Sequence, residues 1–338
     1  MQAWQFTRTG PARAILSLQS IPVPPRPIDN EVLIRITHSS LNGGSNLLLT
    51  LIPMLFRSPP CTPGIEFSGV VESVGPSYSK TNLLPGTRVF GTLDKRAHVR
   101  GKGALAEWLL VKEGEVVMVA VPEGVELSQA AAMSASGSTA VSMCLRAGLK
   151  GGERVLVNGA SGGVGSLLVQ ILRNLGVREI VAVCSGKNAD FVKRLGADEV
   201  LDYNVAPVEQ QLIDKFSARP FDVIMDTVGI QSIFTDSPHY LKNTGVFVNV
   251  GAMANGPWLG FWYWFLNSNL PLLLGGIPRK YIMFSNNIDE EQLGMLAHWA
   301  GEGKLVVPVD QTFELDRALD AYDLVESGRV RGKIVINV

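Results

Sequence analysis

Six consecutive residues, Ala160-Ser161-Gly162-Gly163-Val164-Gly165, have the types and spacing to hold a diphosphate. They follow a short apolar run, Val155–Val157. They precede Leu167, Leu168, Ile171, Leu172 and Leu175, which recur at helical spacing. The pattern predicts a strand, a glycine turn and an amphipathic helix. The start of a helix carries unpaired N–H groups and the positive end of its dipole, so it attracts an anion. Glycines at 162, 163 and 165 let the backbone approach a pyrophosphate and let the helix lie close to the strand. The pattern is A-x-G-x-x-G, with Ala160 in place of the usual first glycine. A glycine pattern alone is weak, but a second strand, Glu179–Cys184, follows this one and completes the context of a dinucleotide site. The competing reading is a tight strand–helix turn that binds nothing.

The end of that second strand discriminates between nicotinamide cofactors. An NAD site places an acid there for the ribose hydroxyl. Here the residues are Ser185-Gly186-Lys187-Asn188. Ser185, Lys187 and Asn188 can hold a 2′-phosphate by hydrogen bonds and charge, which favours NADPH over NADH. The first acid, Asp190, is expected in the first turn of the next helix, where it suits the dipole. The alternative for Lys187 is an ordinary solvated lysine.

Around this core, residues 1 to about 120 read as short strands broken by Gly and Pro: Glu31–Thr37, Phe67–Val74, residues 85–91 and Ala106–Val111. That texture suggests a small β-barrel or sandwich. Ser128–Arg146 reads as a helix interrupted near Gly137. Strands and helices then alternate: Ala189–Leu195 helix, Glu199–Leu201 strand, Pro207–Phe216 helix, Phe221–Asp226 strand and Val246–Gly251 strand. Such alternation implies a parallel sheet with right-handed crossovers. The tail is read as helix Asp289–Gly301, strand Val306–Val309, helix Leu315–Glu326 and strand Lys333–Val338, and it is expected to rejoin the first domain.

With 338 residues and 46% hydrophobic composition, the chain can build two cores. A net charge of −1 offers no surplus for nucleic acid. The three cysteines, Cys61, Cys144 and Cys184, are too scattered for a disulfide framework and suit a reducing, cytoplasmic setting. The first residues show no signal-peptide pattern. One stretch stands out: residues 257–278 crowd Trp258, Phe261, Trp262, Tyr263, Trp264 and Phe265. Asn267-Ser268-Asn269 and Pro271 interrupt it, which argues against a spanning helix. Three readings stay open: an apolar substrate pocket, a core or dimer interface, or peripheral contact with a membrane surface. Burial in a core and an interface is the default.

Taken together, the motifs resemble the medium-chain dehydrogenase/reductase superfamily. The resemblance is strongest to its zinc-free branch of quinone oxidoreductases (zeta-crystallin-like) and enoyl reductases, and covers nearly the whole chain. It rests on residues 63–71 (PGIEFSGVV), 86–91 (GTRVFG), 137–140 (GSTA), the glycine turn and 331–335 (RGKIV). It implies an α/β fold in which a Rossmann doubly wound parallel sheet is inserted into a chaperonin-10-like β-barrel domain. The β domain would comprise residues 1–122 and 285–338, the Rossmann NADPH-binding domain residues 123–284, and the substrate would bind in the cleft. Members often pair as homodimers through a Rossmann edge.

By the same resemblance, Asn42 matches an asparagine near the nicotinamide and the substrate oxygen, and Thr139 a residue beside the nicotinamide. Tyr203 matches a tyrosine at the 2′-phosphate, and Val250-Gly251 the strand end under the nicotinamide ring. Zinc members carry Cys near the position of Gly43 and His at that of Ile65, so no metal is expected here. The four histidines, His38, His98, His239 and His298, are scattered without paired spacing. The implied chemistry is hydride transfer to an activated C=C or a quinone of an apolar substrate, with a hydrogen-bond donor at the oxygen where charge builds. The chain departs from the family's Leu-Asn-Pro-x-Asp, reading Leu41-Asn42-Gly43-Gly44-Ser45, and residues 47–60 lack the proton-donating tyrosine of many enoyl reductases. Tyr263, or water, is the candidate substitute. Two alternatives accompany this reading: a trans-acting enoyl reductase on a carrier-bound acyl chain, and an NADPH-binding, non-redox partner or membrane-surface protein.

Overall fold

An eleven-residue strand, Glu31–Leu41, is the spine of the first of two units in the computed structural model, which describes residues 1–251 and 256–338. This unit takes Met1–Ser138 and Ile288–Val338, and the second takes Thr139–Asn287.

In chain order, the first unit opens with β1 (Gln2–Gln5), α1 (Ala12–Ile15) and β2 (Ser17–Ser20), followed by the spine β3 and α2 (Gly43–Leu51). Then come β4 (Glu66–Val74), β5 (Arg88–Leu93), α3 (Lys95–Val99), β6 (Trp108–Lys112) and β7 (Val116–Ala120). Helix α4 (Leu127–Ala147) carries the chain into the second unit. That unit holds β8 (Arg154–Asn158), α5 (Gly163–Asn174), β9 (Glu179–Cys184), α6 (Ala189–Arg194), β10 (Glu199–Asp202) and α7 (Val208–Phe216). It continues through β11 (Phe221–Asp226), α8 (Gln231–Thr235), β12 (Leu241–Asn249), α9 (Pro257–Asn269) and β13 (Lys280–Met283). The tail, α10 (Glu290–Gly301), β14 (Val309–Glu314), α11 (Ala318–Glu326) and β15 (Lys333–Asn337), belongs to the first unit.

The first unit's main sheet runs β14-β15-β3-β4-β5-β7, with β6 also on β3. Its last strand, β15, therefore sits beside β3, made nearly 300 residues earlier, and β14 adds outside it. Two motif glycines are explained by the crossings. A Cβ at Gly69 would overlap the Arg35 carbonyl on β3, and one at Gly91 would lie 2.7 Å from Met118 Cβ on β7. The second unit's sheet runs β10-β9-β8-β11-β12-β13, and every pairing is parallel. That is the doubly wound order, which puts ligands at the carboxyl ends of the strands near the reversal between β8 and β11. β8 is buried at all five positions, as expected of a parallel strand covered on both faces. The fold is thus a doubly wound parallel sheet inserted into a chaperonin-10-like β domain assembled from both chain ends.

Three local expectations are corrected. The helix over 128–146 is not interrupted at Gly137. Leu296 of α10 packs where a Cβ would stand, 2.8 Å from its Cδ1, so the glycine serves close approach while the helix continues. The strand expected at 306–309 lies instead at Val309–Glu314. Pro308 precedes it, and as an edge strand β14 tolerates the polar Asp310, Gln311 and Thr312. The aromatic stretch is not core: Trp258 is 85%, Phe261 57% and Trp262 53% exposed, and Leu273 just beyond α9 is 99% exposed.

One buried histidine gives the first unit a pH response. His98 on α3 is 5% exposed, and its Nδ1 lies 3.2 Å from the Lys102 carbonyl. Burial pushes its pKa from 6.5 down to about 4. The unfolded chain therefore takes up a proton that the folded chain refuses. Stability is full above pH 6.5 and falls as pH drops towards 4, by ~3 kcal/mol in total. By pH 5 the loss is about 2 kcal/mol. Urea unfolding at pH 7 and pH 5 should show a drop larger by that amount in the wild type than in His98→Gln; equal drops would refute it.

Candidate functional site

The glycine turn opens α5 as the sequence predicts. Gly162 is the N-cap, and no side chain caps it, which leaves the first N–H groups of a twelve-residue helix for a ligand. A Cβ at Gly165 would overlap the Gly159 carbonyl oxygen and lie 2.7 Å from Ala160 Cα, so this glycine permits α5 to touch the end of β8. A Cβ at Gly162 would meet only the Gly159 carbonyl oxygen, at 3.4 Å. Gly162 thus serves approach from outside rather than internal packing. Gly159 adopts a left-handed φ of 78°, with Thr227 filling the space beside it.

Ser185, Lys187 and Asn188 share one turn after β9. Asn188 Nδ2 donates to Ser161 Oγ at 3.2 Å, joining two of the proposed cofactor residues from separate loops. Ser185 is buried, and Lys187 is exposed with no hydrogen bond or ion pair among the described residues. Sequence reasoning missed Asp202 at the end of β10. Its carboxylate accepts the Asn204 backbone N–H at 2.9 Å and the Gly186 N–H, bonds that hold its pKa below the usual carboxylate range. A Cβ at Gly186 would lie 3.1 Å from Asp202 Cγ and overlap an oxygen, so Asp202 fixes this turn from within the protein. Tyr203 follows, 55% exposed.

At the far side of the reversal, Gly251 N donates to Asn249 Oδ1 at 2.8 Å, and Val250 N donates to the Asp226 carbonyl at 3.0 Å. Gly251 presses on the Val228–Gly229 backbone, where no Cβ would fit. Tyr263 of α9 is half-buried and lines a recess with Gly251, Asp226, Gln231, Asn249 and Tyr281. Helix α9 is tied over this recess by a reciprocal amide pair: Gln231 Nε2 to Asn267 Oδ1 at 3.0 Å, and Asn267 Nδ2 to Gln231 Oε1 at 2.9 Å. Asp226 was also missed. It is 1% exposed, and burial pushes its pKa up against donation from Gly229, Val228, Asn158 and Ile230. Its signal was an acid directly after the apolar run Val223-Ile224-Met225, at the end of a strand. Thr139, half-buried on α4, begins the second unit.

Asn42 lies in the first unit, as the N-cap of α2. Its Oδ1 accepts the Gly44 N–H at 2.9 Å, and Ser45 Oγ accepts the Asn42 N–H at 3.1 Å, a reciprocal capping box. Asn42 Nδ2 donates to Glu66 Oε1 at 2.6 Å. Ser45, where the family carries Asp, therefore supports the loop. Glu66 meets the buried Lys333, a partner 267 residues away that no local pattern signals. Among the described residues, no group of three His, Cys, Asp or Glu side chains is placed to hold a metal ion.

These residues fit a dinucleotide. The α5 N-terminus is bare, the 185–188 turn is bonded to Ser161, and Gly251 closes β12 against the Val228–Gly229 backbone, features of the kind a dinucleotide site is built from.

Comparison with known proteins agrees. Residues 28–123 match the family described as alcohol dehydrogenase GroES-like domain, and residues 195–336 that described as zinc-binding dehydrogenase. The chain is 34% identical to medium chain reductase pydE of an Acremonium species, covering 100% of this chain and 99% of that one. It is 31% identical to trans-enoyl reductase poxH of Penicillium oxalicum, over 100% and 98%. Among solved structures, the quinone oxidoreductase of Coxiella burnetii superposes with a TM-score of 0.82 at 25% identity, covering 100% of this chain and 99% of that one. The protein belongs to the medium-chain dehydrogenase/reductase superfamily and is a nicotinamide-dependent oxidoreductase.

Proposed function

We propose that the protein is a zinc-independent, NADPH-dependent reductase of an activated C=C bond in an apolar enone or enoyl substrate, with quinones as further acceptors. The observation that carries this reading is the turn Ser185–Asn188. It presents an uncommitted Lys187 and an Asn188 bonded to Ser161, while the acid at the end of β10, Asp202, is turned onto the Gly186 backbone. Zinc independence is supported by Gly43 and Ile65 at the positions where zinc members carry ligands.

The nicotinamide supplies a hydride. Ser161, Gly162, Gly163 and Val164 bind the diphosphate, and Ser185, Lys187, Asn188 and Tyr203 bind the 2′-phosphate. Thr139, Val250 and Gly251 seat the ring. Asn42 donates a hydrogen bond to the substrate oxygen as it gains charge. Tyr263, beside Gly251 in the recess, donates a proton to the adjacent carbon.

Relatives named trans-enoyl reductase support an enoyl substrate, and a carrier-bound acyl chain is the refinement to be tested. Three buried free cysteines support a reducing, cytoplasmic setting. The test is NADPH and NADH binding, then NADPH consumption on enones, quinones, free enoyl thioesters and carrier-bound enoyl chains. Lys187→Ala should weaken NADPH about tenfold and leave NADH unchanged, the loss of one charge-assisted hydrogen bond at an exposed site. Equal loss for both nucleotides would remove the 2′-phosphate assignment. Tight NADPH binding without turnover on any of the substrates would favour a non-redox role.

A further inference from the structure

Four polar side chains of the first unit are folded into one cluster. Glu66 is 0% exposed and Lys333 1%. Lys333 Nζ donates to the two Glu66 carboxylate oxygens at 3.0 and 3.2 Å, and to Ser136 Oγ at 3.0 Å. Glu66 Oε1 also accepts Asn42 Nδ2 at 2.6 Å. A side-chain amide has two N–H donors and one carbonyl acceptor. In Asn42 the carbonyl is committed to the Gly44 N–H and one donor to Glu66. Turning the amide over would set its oxygen against a carboxylate and its NH2 against an N–H. The orientation is therefore fixed, and one Asn42 N–H keeps no partner among the described residues. A buried ion pair adds little net stability over an apolar pair of the same size. The cluster's distinctive effect is thus on the amide it orients.

We propose that Glu66 is a positioning residue. Charge-balanced by Lys333 and held by way of it to Ser136, it selects the amide orientation of Asn42 and reserves one N–H for the substrate oxygen. The chemical consequence rests on the reductase reading above; the orientation itself does not. No bond to hydrogen is broken within the cluster, because Asn42 only donates.

Two double variants separate positioning from packing, since both remove the buried charges. In E66Q/K333M, the Gln carbonyl can still accept Asn42 Nδ2. In E66L/K333M no acceptor remains. The expected kcat of E66Q/K333M is within about threefold of wild type, and that of E66L/K333M about 100-fold lower, with KM for NADPH unchanged in both. Equal kcat values in the two variants would overturn the proposal. Should either variant fail to fold, the wild-type protein decides by NMR, with the Asn42 side-chain amide assigned by its loss in N42D. One of its two protons should exchange slowly with solvent and the other freely. Free exchange of both would overturn the proposal. Because that spectrum needs no substrate, it separates failure here from failure of the reductase reading.

Discussion

Lys333→Met is expected to destabilise the first unit by ~3–5 kcal/mol, because it leaves the Glu66 carboxylate buried without its counter-charge. The carboxylate is 0% exposed and the lysine 1%, so the orphaned charge would lie out of reach of water. The comparison that isolates the cause is E66L/K333M. Removing both charges leaves only the Asn42 and Ser136 groups short of a partner, a cost of ~1–3 kcal/mol. Urea midpoints of the two proteins should therefore rank the single variant as the less stable. If the double variant lost as much or more, lost packing rather than the orphaned charge would be the main cause.

Gly165→Ala is the second large effect. The new methyl would overlap the Gly159 carbonyl oxygen and lie 2.7 Å from Ala160 Cα. The three nearest atoms are all backbone, so relief cannot come from a side chain swinging aside. Helix α5 must move off β8, at ~1–3 kcal/mol for overpacking, and the N–H groups proposed to face the diphosphate move with it. Nucleotide affinity should fall about 100-fold, in line with the cost of misplacing a binding group by an ångström. Gly162→Ala provides the contrast, since its methyl meets only an ordinary contact at 3.4 Å. That variant should keep the wild-type Tm and lose affinity through blocked ligand approach. The check is Tm together with NADPH fluorescence titration. A wild-type Tm and affinity in Gly165→Ala would show that the turn is looser than its geometry.

The nucleotide unit was legible because buried parallel strands are short apolar runs with glycine stops. Glu179–Cys184 and Phe221–Asp226 were read to the residue. The edge and pairing strands β2, β7 and β13 were not read: they are short, and sheet partners supply what their own sequences lack. Helix α9 shows the other limit. A segment apolar on every side has no periodicity to say which face is covered. The exposure of Trp258 and Leu273 is a property of the surrounding chain, not of the segment. In the site, Ser161, Ser185 and Asn188 follow from one local motif. The Glu66–Lys333 pair, Asp202 beneath Gly186 and Asp226 in the recess depend on contacts between distant segments.

The return of the C-terminal strand β15 to β3 sets an order on synthesis. Residues 139–287 are contiguous, so that unit can close as soon as it has emerged from the ribosome. The first unit cannot. Its spine waits for β15, whose Ile334 carbonyl accepts a hydrogen bond from Ser40 Oγ across 294 residues. Until Lys333 arrives, the Glu66 carboxylate has no counter-charge, and the His38–Leu41 end of β3 is an open strand edge. The half of the protein made first is therefore completed last, and during that interval the nascent chain carries a finished nucleotide-binding unit behind an unfinished sheet.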